Sequence, residues 1–363
     1  MKVGILGGGQ LARMIALAGH ELGFQFITLD PTMAPCAASV SQHFMHDYND
    51  TTALKQLAEL ADVVTFEFEN VPAASAELIE SFTPIYPSPV ALTSTQDRLV
   101  EKTLFQELDI STADFAVINS LADLQTYACD GQWPAILKTR SEGYDGKGQV
   151  IIKSPDDIES AWHQIKGAPA ILEAFVPFER EISIIAARST HGETCFYPLS
   201  ENSHENGILK FSIARANDPM QSLAEDYVSR LLDRLNYVGI IALELFQTKD
   251  ALLANEYAPR VHNTGHWTME GAETCQFENH IRAILGLPLG STALIGHAAM
   301  FNLIGKPPEI TDILSISHAH LHLYDKEPRC GRKIGHINLR CDDKLMFNEQ
   351  LNLLLNLTKL SNC

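Results

Sequence analysis

The chain has 363 residues, a hydrophobic fraction of 45% and a formal net charge of −18 at pH 7. This length is enough for two or three domains, and the acidity argues against nonspecific binding to duplex nucleic acid, which needs a basic face. No run approaches the roughly 18 to 20 apolar residues that span a bilayer, and no secretory signal pattern opens the chain. We therefore expect a cytoplasmic protein without nucleic-acid or membrane partners.

The first 95 residues alternate strand and helix patterns. The run KVGILGG reads as a strand, QLARMIALAGHELG as an amphipathic helix and FQFITLD as a second strand. Further helix and strand patterns follow, ending in the short apolar run PIYPS. Such alternation predicts a doubly wound parallel sheet, and we assign residues 1–95 to an α/β domain.

The glycines of GILGGGQLAR raise a question about cofactor binding. Gly7, Gly9 and Ala12 satisfy G-x-G-x-x-A, and Asp30 lies 21 residues after Gly9. This pattern is typical of dinucleotide sites, where backbone amides at a helix start approach a phosphate. A nicotinamide-dependent oxidoreductase is therefore one alternative to be tested.

The pattern changes near residue 95 to short β-rich runs separated by loops. A helix is predicted from Ser94 to Asp109 with Ser94 or Thr95 as its N-cap, and another over SLAEDYVSRLLDRLN. Two strands, VGIIALELFQT and ALLANEYAP, are joined by a turn at Lys249–Asp250. This α+β region is assigned to residues 96–290, and residues 291–363 to a small β-rich domain that ends in an amphipathic helix.

A glycine-rich, charged turn follows the strand that ends at Lys138. The sequence of residues 138–149 is KTRSEGYDGKGQ. Glycines permit close approach of the backbone to a ligand, and lysines beside them suit phosphate. An ordinary exposed hairpin is the alternative.

Two acids on the predicted hairpin suggest a magnesium site. Glu244 stands in the apolar run IALELF, where an unpaired acid is costly, and Glu256 follows Asn255 on the next strand. Two such carboxylates can bind Mg²⁺ together with nucleotide phosphate. The alternative is that Glu244 simply points outward from an amphipathic strand.

Two further segments are rich in hydrogen-bond donors. RVHNTGHW at 260–267 suits an anion held for reaction, whereas His262 and His266 lack a convincing third ligand for zinc. The late cations of YDK, GRKIGH and Arg340 suggest a phosphate pocket, with a solvated basic turn as the alternative. The seven scattered cysteines form no C-x-x-C, which favours reduced thiols.

Taken in order, these motifs resemble the ATP-grasp superfamily and, within it, the N5-carboxyaminoimidazole ribonucleotide synthases. The matching runs extend from the first residues into the last sixth of the chain: GGGQLARM, DRLVEK, GYDGKGQ, FYPLSENSHENGIL, NEYAPRVHNTGHWT and YDKEPRCGRKIGH. The resemblance implies an N-terminal α/β domain, a split ATP-grasp region and a small C-terminal domain. Within the ATP-grasp region it implies a lid subdomain at about 110–175 and a catalytic subdomain at about 176–290.

The resemblance also implies roles for individual residues. The implied nucleotide contacts are Arg98, Lys138 on the phosphates, a lid of Gly143, Tyr144, Asp145, Gly146, Lys147, Gly148 and Gln149, an adenine segment of Glu173, Ala174, Phe175 and Val176, Glu181 on the ribose, His204, Asn255 and Glu256. Glu244 and Glu256 would hold Mg²⁺. The implied ribonucleotide contacts are Gln10, Leu11, Glu67, Asn263, Lys326, Arg332, Lys333 and Arg340. One departure is Glu142, which stands where similar proteins have a glycine before Tyr-Asp-Gly.

The implied reaction joins ATP, bicarbonate and 5-aminoimidazole ribonucleotide through carboxyphosphate, giving N5-carboxyaminoimidazole ribonucleotide, ADP and phosphate in purine biosynthesis. Asp145, Arg260 and Lys333 would serve the chemistry, and a homodimer is implied. Another ATP-grasp ligase, such as formate-dependent glycinamide ribonucleotide transformylase, is the alternative within the enzyme class. A nucleotide sensor without turnover is a further alternative.

Overall fold

The computed structural model describes residues 1–141, 143 and 148–359. The first domain is built on a four-stranded, wholly parallel sheet in the order β3-β2-β1-β4. Its strands are β1 (Lys2–Leu6), β2 (Gln25–Leu29), β3 (Gln42–Phe44) and β4 (Val63–Phe66), and its helices are α1 (Gln10–Glu21), α2 (Thr51–Leu60) and α3 (Ala73–Glu80). The predicted α/β domain is confirmed, except that PIYPS contributes only an isolated bridge from Ile85 to Val64.

Two helices connect this domain to the rest of the chain, α4 (Pro89–Thr95) and α5 (Arg98–Glu107). The predicted N-cap was wrong, because Ser94 and Thr95 are the last residues of α4. Asp97 caps α5 instead, and its carboxylate accepts a hydrogen bond from the Leu99 amide at 2.8 Å.

A small antiparallel sheet follows, in the order β5-β8-β6-β7. Helices α6 (Leu121–Asp130) and α7 (Ile158–Gln164) pack against it through Leu124, Ile158 and Ala161. Its strands are β5 (Phe115–Ile118), β6 (Ala135–Thr139), β7 (Gln149–Ile152) and β8 (Ala170–Ala174). The glycine-rich turn connects β6 to β7.

The remaining strands form one nine-stranded sheet in the order β14-β13-β9-β11-β12-β15-β17-β16, with β10 paired to β9. The strands are β9 (Arg180–Arg188), β10 (Thr194–Phe196), β11 (Leu199–Glu205), β12 (Ile208–Arg215), β13 (Gly239–Gln247), β14 (Leu252–Ala258), β15 (His297–Ile304), β16 (Ala319–Leu323) and β17 (Lys333–Cys341). Because β12 pairs with β15, the C-terminal strands extend the sheet of the preceding region across residue 290. The C-terminal strands β15, β16 and β17 are eight, five and nine residues long.

Helices cover both faces of this sheet. Along β9, Ile182 and Ile184 belong to a core shared with α8 (Gln221–Arg234), whereas Ile185 belongs to a core shared with α1 and α10 (Gln276–Ile284). A strand covered on both faces is apolar along its whole length, which explains the run ISIIAA. The remaining helices are α9 (Thr268–Gly271), α11 (Ile310–Leu314) and α12 (Lys344–Lys359). None of the described helices is long and apolar enough to span a membrane.

Candidate active site

The two predicted metal ligands lie opposite each other on neighbouring strands. The hairpin at Lys249–Asp250 is confirmed, and Glu244 of β13 pairs in register with Glu256 of β14. Glu244 Oε1 lies 3.2 Å from His262 Nε2, and Glu256 Oε2 accepts a hydrogen bond of 2.9 Å from Arg98 Nη1. Burial opposes ionisation of Glu244, but His262 keeps the pKa of this carboxyl below its ordinary value. The pair therefore places two carboxyl groups, which are hard-oxygen donors, side by side on adjacent strands.

A β-bulge next to this pair brings Asn255 into the same site. Glu244 pairs with Glu256 and Leu245 with Ala254, so Asn255 is the extra residue on β14. Bulges redirect side chains in this way and are common beside active sites. The Asn255 amide oxygen accordingly lies 3.5 Å from the ammonium nitrogen of Lys138 on β6.

Lys138 belongs to a buried cluster of two lysines and one glutamate. Its Nζ lies 2.5 Å from Glu173 Oε2, and Lys102 Nζ lies 3.0 Å from Glu173 Oε1. These three side chains are at most 7% exposed. Burial raises the pKa of Glu173, but the two ammonium groups outweigh it and lower this pKa to about 2. The cluster therefore has a formal net charge of +1 in an interior where charge is costly unless compensated, and burial lowers the pKa of Lys138 below its ordinary value.

The other predicted nucleotide contacts are arranged around this cluster on both sheets. Ala174 ends β8, and Phe175, 46% exposed, follows it. On the large sheet, His204 Nδ1 lies 2.5 Å from Glu181 Oε2. Burial disfavours protonation of His204, but Glu181 raises the imidazole pKa above its ordinary value. Of the lid, Tyr144, Asp145, Gly146 and Lys147 lie outside the described residues, as does Glu142.

Gly148, near the end of the predicted lid, occupies a position that requires glycine. Its φ is +73°, and a Cβ there would lie 2.5 Å from the Thr139 hydroxyl. A side chain at this position would be strained both by the backbone conformation and by the lack of space.

The glycine loop at the start of α1 is occupied by the protein's own carboxylates. The amide of Gly8 donates to Asp30 Oδ2 at 2.9 Å, and those of Gly9 and Ala12 donate to the two oxygens of Glu67 at 2.5 and 3.1 Å. A Cβ on Gly9 would lie 2.4 Å from Glu67 Oε1. The glycines thus allow close approach of Glu67, and the expectation that their amides face a phosphate is corrected.

The next two residues of α1 are placed differently. No partner for the amides of Gln10 and Leu11 is found among the described hydrogen bonds, as is usual for a helix N-terminus. The Gln10 side chain accepts a hydrogen bond from the ammonium group of Lys326. This contact joins the first domain to the late basic segment.

The basic segment also approaches Glu244, one of the two carboxylates predicted to bind the metal. The charge of Lys333 contributes to the low pKa of Glu244 and, with Arg332, to the lowered pKa of Lys326, where burial is the main cause. These three cations therefore lie close to one site. Arg340 does not join them: it lies seven residues further along β17, about 23 Å away at 3.3 Å per residue, where it pairs with Asp342.

Two residues of the RVHNTGHW segment, Arg260 and Asn263, are held by unexpected partners. Arg260 Nε lies 2.5 Å from Glu69 Oε2, and the arginine, against the effect of burial, lowers the pKa of Glu69 to about 2. The side-chain amides of Asn263 and Asn302 exchange two hydrogen bonds of 2.7 and 3.0 Å.

His266 is 1% exposed, and burial lowers its pKa far below the ordinary value. Within the described ranges, neither His262 nor His266 belongs to a group of three side chains that could bind a metal ion.

Sequence reasoning assigned no role to Lys102, Glu101, Glu69 or Asn302. A signal was present for the first two, because Arg98, Glu101 and Lys102 share one helix face with the buried Phe105 at spacings of three, four and seven. Charged residues on the apolar face of a helix indicate buried partners. Nothing local to Glu69 or Asn302 indicated their contacts.

Known proteins match the chain along nearly its whole length. Residues 1–96 match the ribonucleotide synthetase preATP-grasp domain, 103–277 the ATP-grasp domain, and 298–350 the phosphoribosylaminoimidazole carboxylase C-terminal domain. The N5-carboxyaminoimidazole ribonucleotide synthase of Pseudomonas aeruginosa is 52% identical over 351 residues, covering 97% of this chain and 98% of that protein.

Solved structures agree with these sequence matches. The N5-carboxyaminoimidazole ribonucleotide synthetase of Thermus thermophilus superposes with a TM-score of 0.93 at 48% identity, covering 98% of both chains. The enzyme of Aspergillus clavatus, solved with ADP and 5-aminoimidazole ribonucleotide, gives 0.91 at 30% identity and covers 99% of this chain and 98% of that one. With the shared fold and the paired glutamates in place, the chain belongs to the N5-carboxyaminoimidazole ribonucleotide synthase family of ATP-grasp ligases.

Proposed function

We propose that this chain carboxylates 5-aminoimidazole ribonucleotide with ATP and bicarbonate, giving N5-carboxyaminoimidazole ribonucleotide, ADP and phosphate. The observation that carries the proposal is the position of Glu244 and Glu256 beside the Lys138–Glu173–Lys102 cluster, where the small sheet meets the edge of the large one. A net positive interior next to two carboxylates suits a magnesium nucleotide.

In this proposal ATP lies between the two sheets. Lys138 contacts the phosphates, the backbone of 173–176 contacts adenine, and Glu181 accepts from the ribose hydroxyls. Arg98, His204 and Asn255 line the same cavity, and residues 143–149 close over the phosphates.

The donor set fits Mg²⁺, because two carboxylates on adjacent strands leave further coordination positions for phosphate oxygens and water. When bound, the ion would neutralise charge on the transferring phosphoryl group. Glu244 and Glu256 would hold it, and His262 and Arg98 orient these two carboxylates.

The ribonucleotide is proposed to bind between α1 and the late basic segment. The amides of Gln10 and Leu11 and the cations of Lys326 and Arg332 together suit a phosphate. Glu67, fixed by the amides of Gly9 and Ala12, is available to the ribose, and Asn263 to the base. Arg340 is not part of this proposal, because of its position on β17.

Bicarbonate is a poor electrophile until it is phosphorylated. Arg260 and Lys333 are proposed to hold the anionic bicarbonate and carboxyphosphate, supplying positive charge where negative charge develops. Asp145 is proposed to orient the exocyclic amine or take its proton. Lid closure would exclude water, which otherwise destroys carboxyphosphate.

We also propose a homodimer in a cytoplasmic setting, with domain boundaries at 95/96 and 290/291. The second boundary separates two parts that share one sheet. It therefore does not separate two independent sheets.

The test is ADP release by the purified full chain with Mg-ATP and 5-aminoimidazole ribonucleotide, with and without bicarbonate, followed by product identification. We expect bicarbonate-dependent ADP release and N5-carboxyaminoimidazole ribonucleotide as the product. ADP release that instead requires formate and glycinamide ribonucleotide would favour the other ligase, and binding of ATP without any turnover would favour a sensor.

A further inference from the structure

Lys102 is a fully buried lysine to which the proposed reaction gives no task. It lies on α5, its side chain is 1% exposed, and its ammonium group has three described contacts. These are Glu173 Oε1 at 3.0 Å, the Asn255 carbonyl at 2.8 Å and the Ala254 carbonyl at 3.3 Å. The two carbonyl contacts are hydrogen bonds, and the contact with Glu173 is an ion pair.

Part of this arrangement is structural. Strand β14 lies at the edge of the large sheet, and unpaired edge groups need cover. Glu101 accepts a hydrogen bond from the Tyr257 amide at 2.7 Å, and Lys102 covers two carbonyls of the same strand. An edge cover alone, however, does not require the contact between Lys102 and Glu173.

That contact links the two sheets of the nucleotide site. Glu173 lies on β8 of the small sheet, and its other oxygen is 2.5 Å from Lys138. With Lys102 on Oε1, the carboxylate is shared between two ammonium groups and only one oxygen faces Lys138. Without Lys102, both oxygens and the whole negative charge of Glu173 would be available to neutralise Lys138.

We infer that Lys102 is a positioning residue for the nucleotide: by holding one oxygen of Glu173, it keeps the charge of Lys138 available to the phosphates of ATP. The inference rests on the proposed function, since it assumes that Lys138 contacts ATP. Counted formally, the cluster of Lys102, Lys138 and Glu173 has a net charge of +1. Removing the charge of Lys102 reduces it to zero, and removing the charge of Glu173 as well restores it.

The experiment compares Lys102→Gln with the double variant Lys102→Gln, Glu173→Gln. Glutamine keeps a donor for the Asn255 carbonyl while removing the charge. We expect the dissociation constant of Mg-ATP, measured by calorimetry, to rise at least about tenfold in the single variant, and to return to within about threefold of the parent in the double variant. The KM for 5-aminoimidazole ribonucleotide should remain unchanged in both.

A merely structural role predicts another pattern. Both variants change the edge cover in the same way, so the double variant would bind ATP as weakly as the single variant or more weakly, and this result would overturn the inference. Lys55→Gln, on the exposed face of α2, is the control for loss of a lysine. If Lys102→Gln does not fold, as judged by circular dichroism, Lys102→Met with and without Glu173→Gln provides the same comparison.

The two proposals fail differently. If the parent protein does not bind Mg-ATP, the proposed function fails. If the parent binds and Lys102→Gln binds equally well, only the role of Lys102 fails.

Discussion

Glu244 and Glu256 must meet two conflicting requirements. They must be ionised to bind a cation, yet they lie beside an apolar hairpin core that includes Leu243 and Leu245. His262 and Arg98 resolve the conflict by supplying a donor to each carboxylate. Among the contacts of the described residues, His262 lies beside one oxygen of Glu244 and Arg98 donates to one oxygen of Glu256.

Replacing Glu256 tests this arrangement. Glu256→Gln keeps an oxygen for Arg98 and removes the charge, so the fold should persist while ADP formation falls by about 100-fold or more, the scale of losing a key electrostatic contact. ADP release and thermal melting measure the two effects. Glu107→Gln is the control, because Glu107 also pairs with an arginine, Arg234, but on the surface. ADP release at the parent rate would remove Glu256 from the metal site.

The residues of the site differ in how far the sequence could predict them. Glu244 was predictable because an acid within an apolar strand needs a partner, and the Lys249–Asp250 turn placed Glu256 across from it. The contact between Asn263 and Asn302 could not be predicted, since 39 residues separate them and no periodic pattern links them. The resemblance placed Arg340 in the site, but the length of β17 keeps it away.

At the scale of elements, α5 connects the first domain, the small sheet and the large sheet. Its N-cap Asp97 accepts from the Leu99 amide and also from Arg140 Nε at 2.9 Å, just beyond the end of β6. Its inner face carries Glu101 and Lys102 to the edge of β14. The helix thus fixes the position of β6, the strand that contains Lys138.

Two substitutions separate the cap of α5 from its ion pair. Asp97→Ala removes both and should destabilise the protein by about 1–2 kcal/mol, most of it from the cap. Asp97→Asn retains an oxygen for the Leu99 amide and should cost less than half as much. Urea denaturation measures both. Ser120→Ala, which removes the N-cap of α6 without an ion pair, is the matched control; equal losses for the two Asp97 variants would show that the cap contributes little.

The position of this cap also shows a limit of local patterns. Ser94, Thr95 and Asp97 are all good N-cap residues, so a helix start was predictable but its exact residue was not. Tertiary contacts decide which residue becomes the cap. Ser94 lies inside α4 and forms a hydrogen bond of 2.5 Å with the Tyr257 hydroxyl of β14, whereas Asp97 accepts a hydrogen bond from Arg140.

At the scale of the whole molecule, the order of the sheets follows from contacts between distant segments. Alternating helices and strands predicted the parallel sheet, because that signal is local. The continuation of the large sheet into β15 was not predictable in this way, because β12 and β15 are separated by more than 80 residues. The N-terminal domain is likewise attached through a contact without a local signal, the side chain of His280.

His280 joins the first domain to the large sheet as a neutral imidazole. Its Nδ1 accepts from the Ile240 amide at 3.2 Å, so its Nε2–H is free to donate to the Thr65 hydroxyl, 2.9 Å away. Burial lowers its pKa to about 4, from an ordinary value of 6.5. A shift of this size corresponds to about 3 kcal/mol.

The pH dependence follows from the direction of this shift. Between pH 6.5 and 4 the unfolded chain binds a proton at His280 that the folded chain excludes, so stability falls as the pH falls through this range. Above pH 6.5 and below pH 4 this residue contributes no further change. His266 and His336, whose pKa values burial also lowers, act in the same direction, so only a comparison of variants isolates His280.

His280→Asn makes that comparison, because its amide oxygen can accept from Ile240 but does not titrate. At pH 7.5 we expect the variant to be less stable than the parent, since the contact with Thr65 is lost. As the pH is lowered towards 4, the difference in unfolding free energy should shrink by up to about 3 kcal/mol, since only the parent pays the cost of excluding the proton. Urea denaturation at pH 7.5, 6.5, 5.5 and 4.5 measures this trend, with the exposed His163→Asn as control. A difference that stays constant with pH would mean that His280 is not neutral at the junction of the two domains.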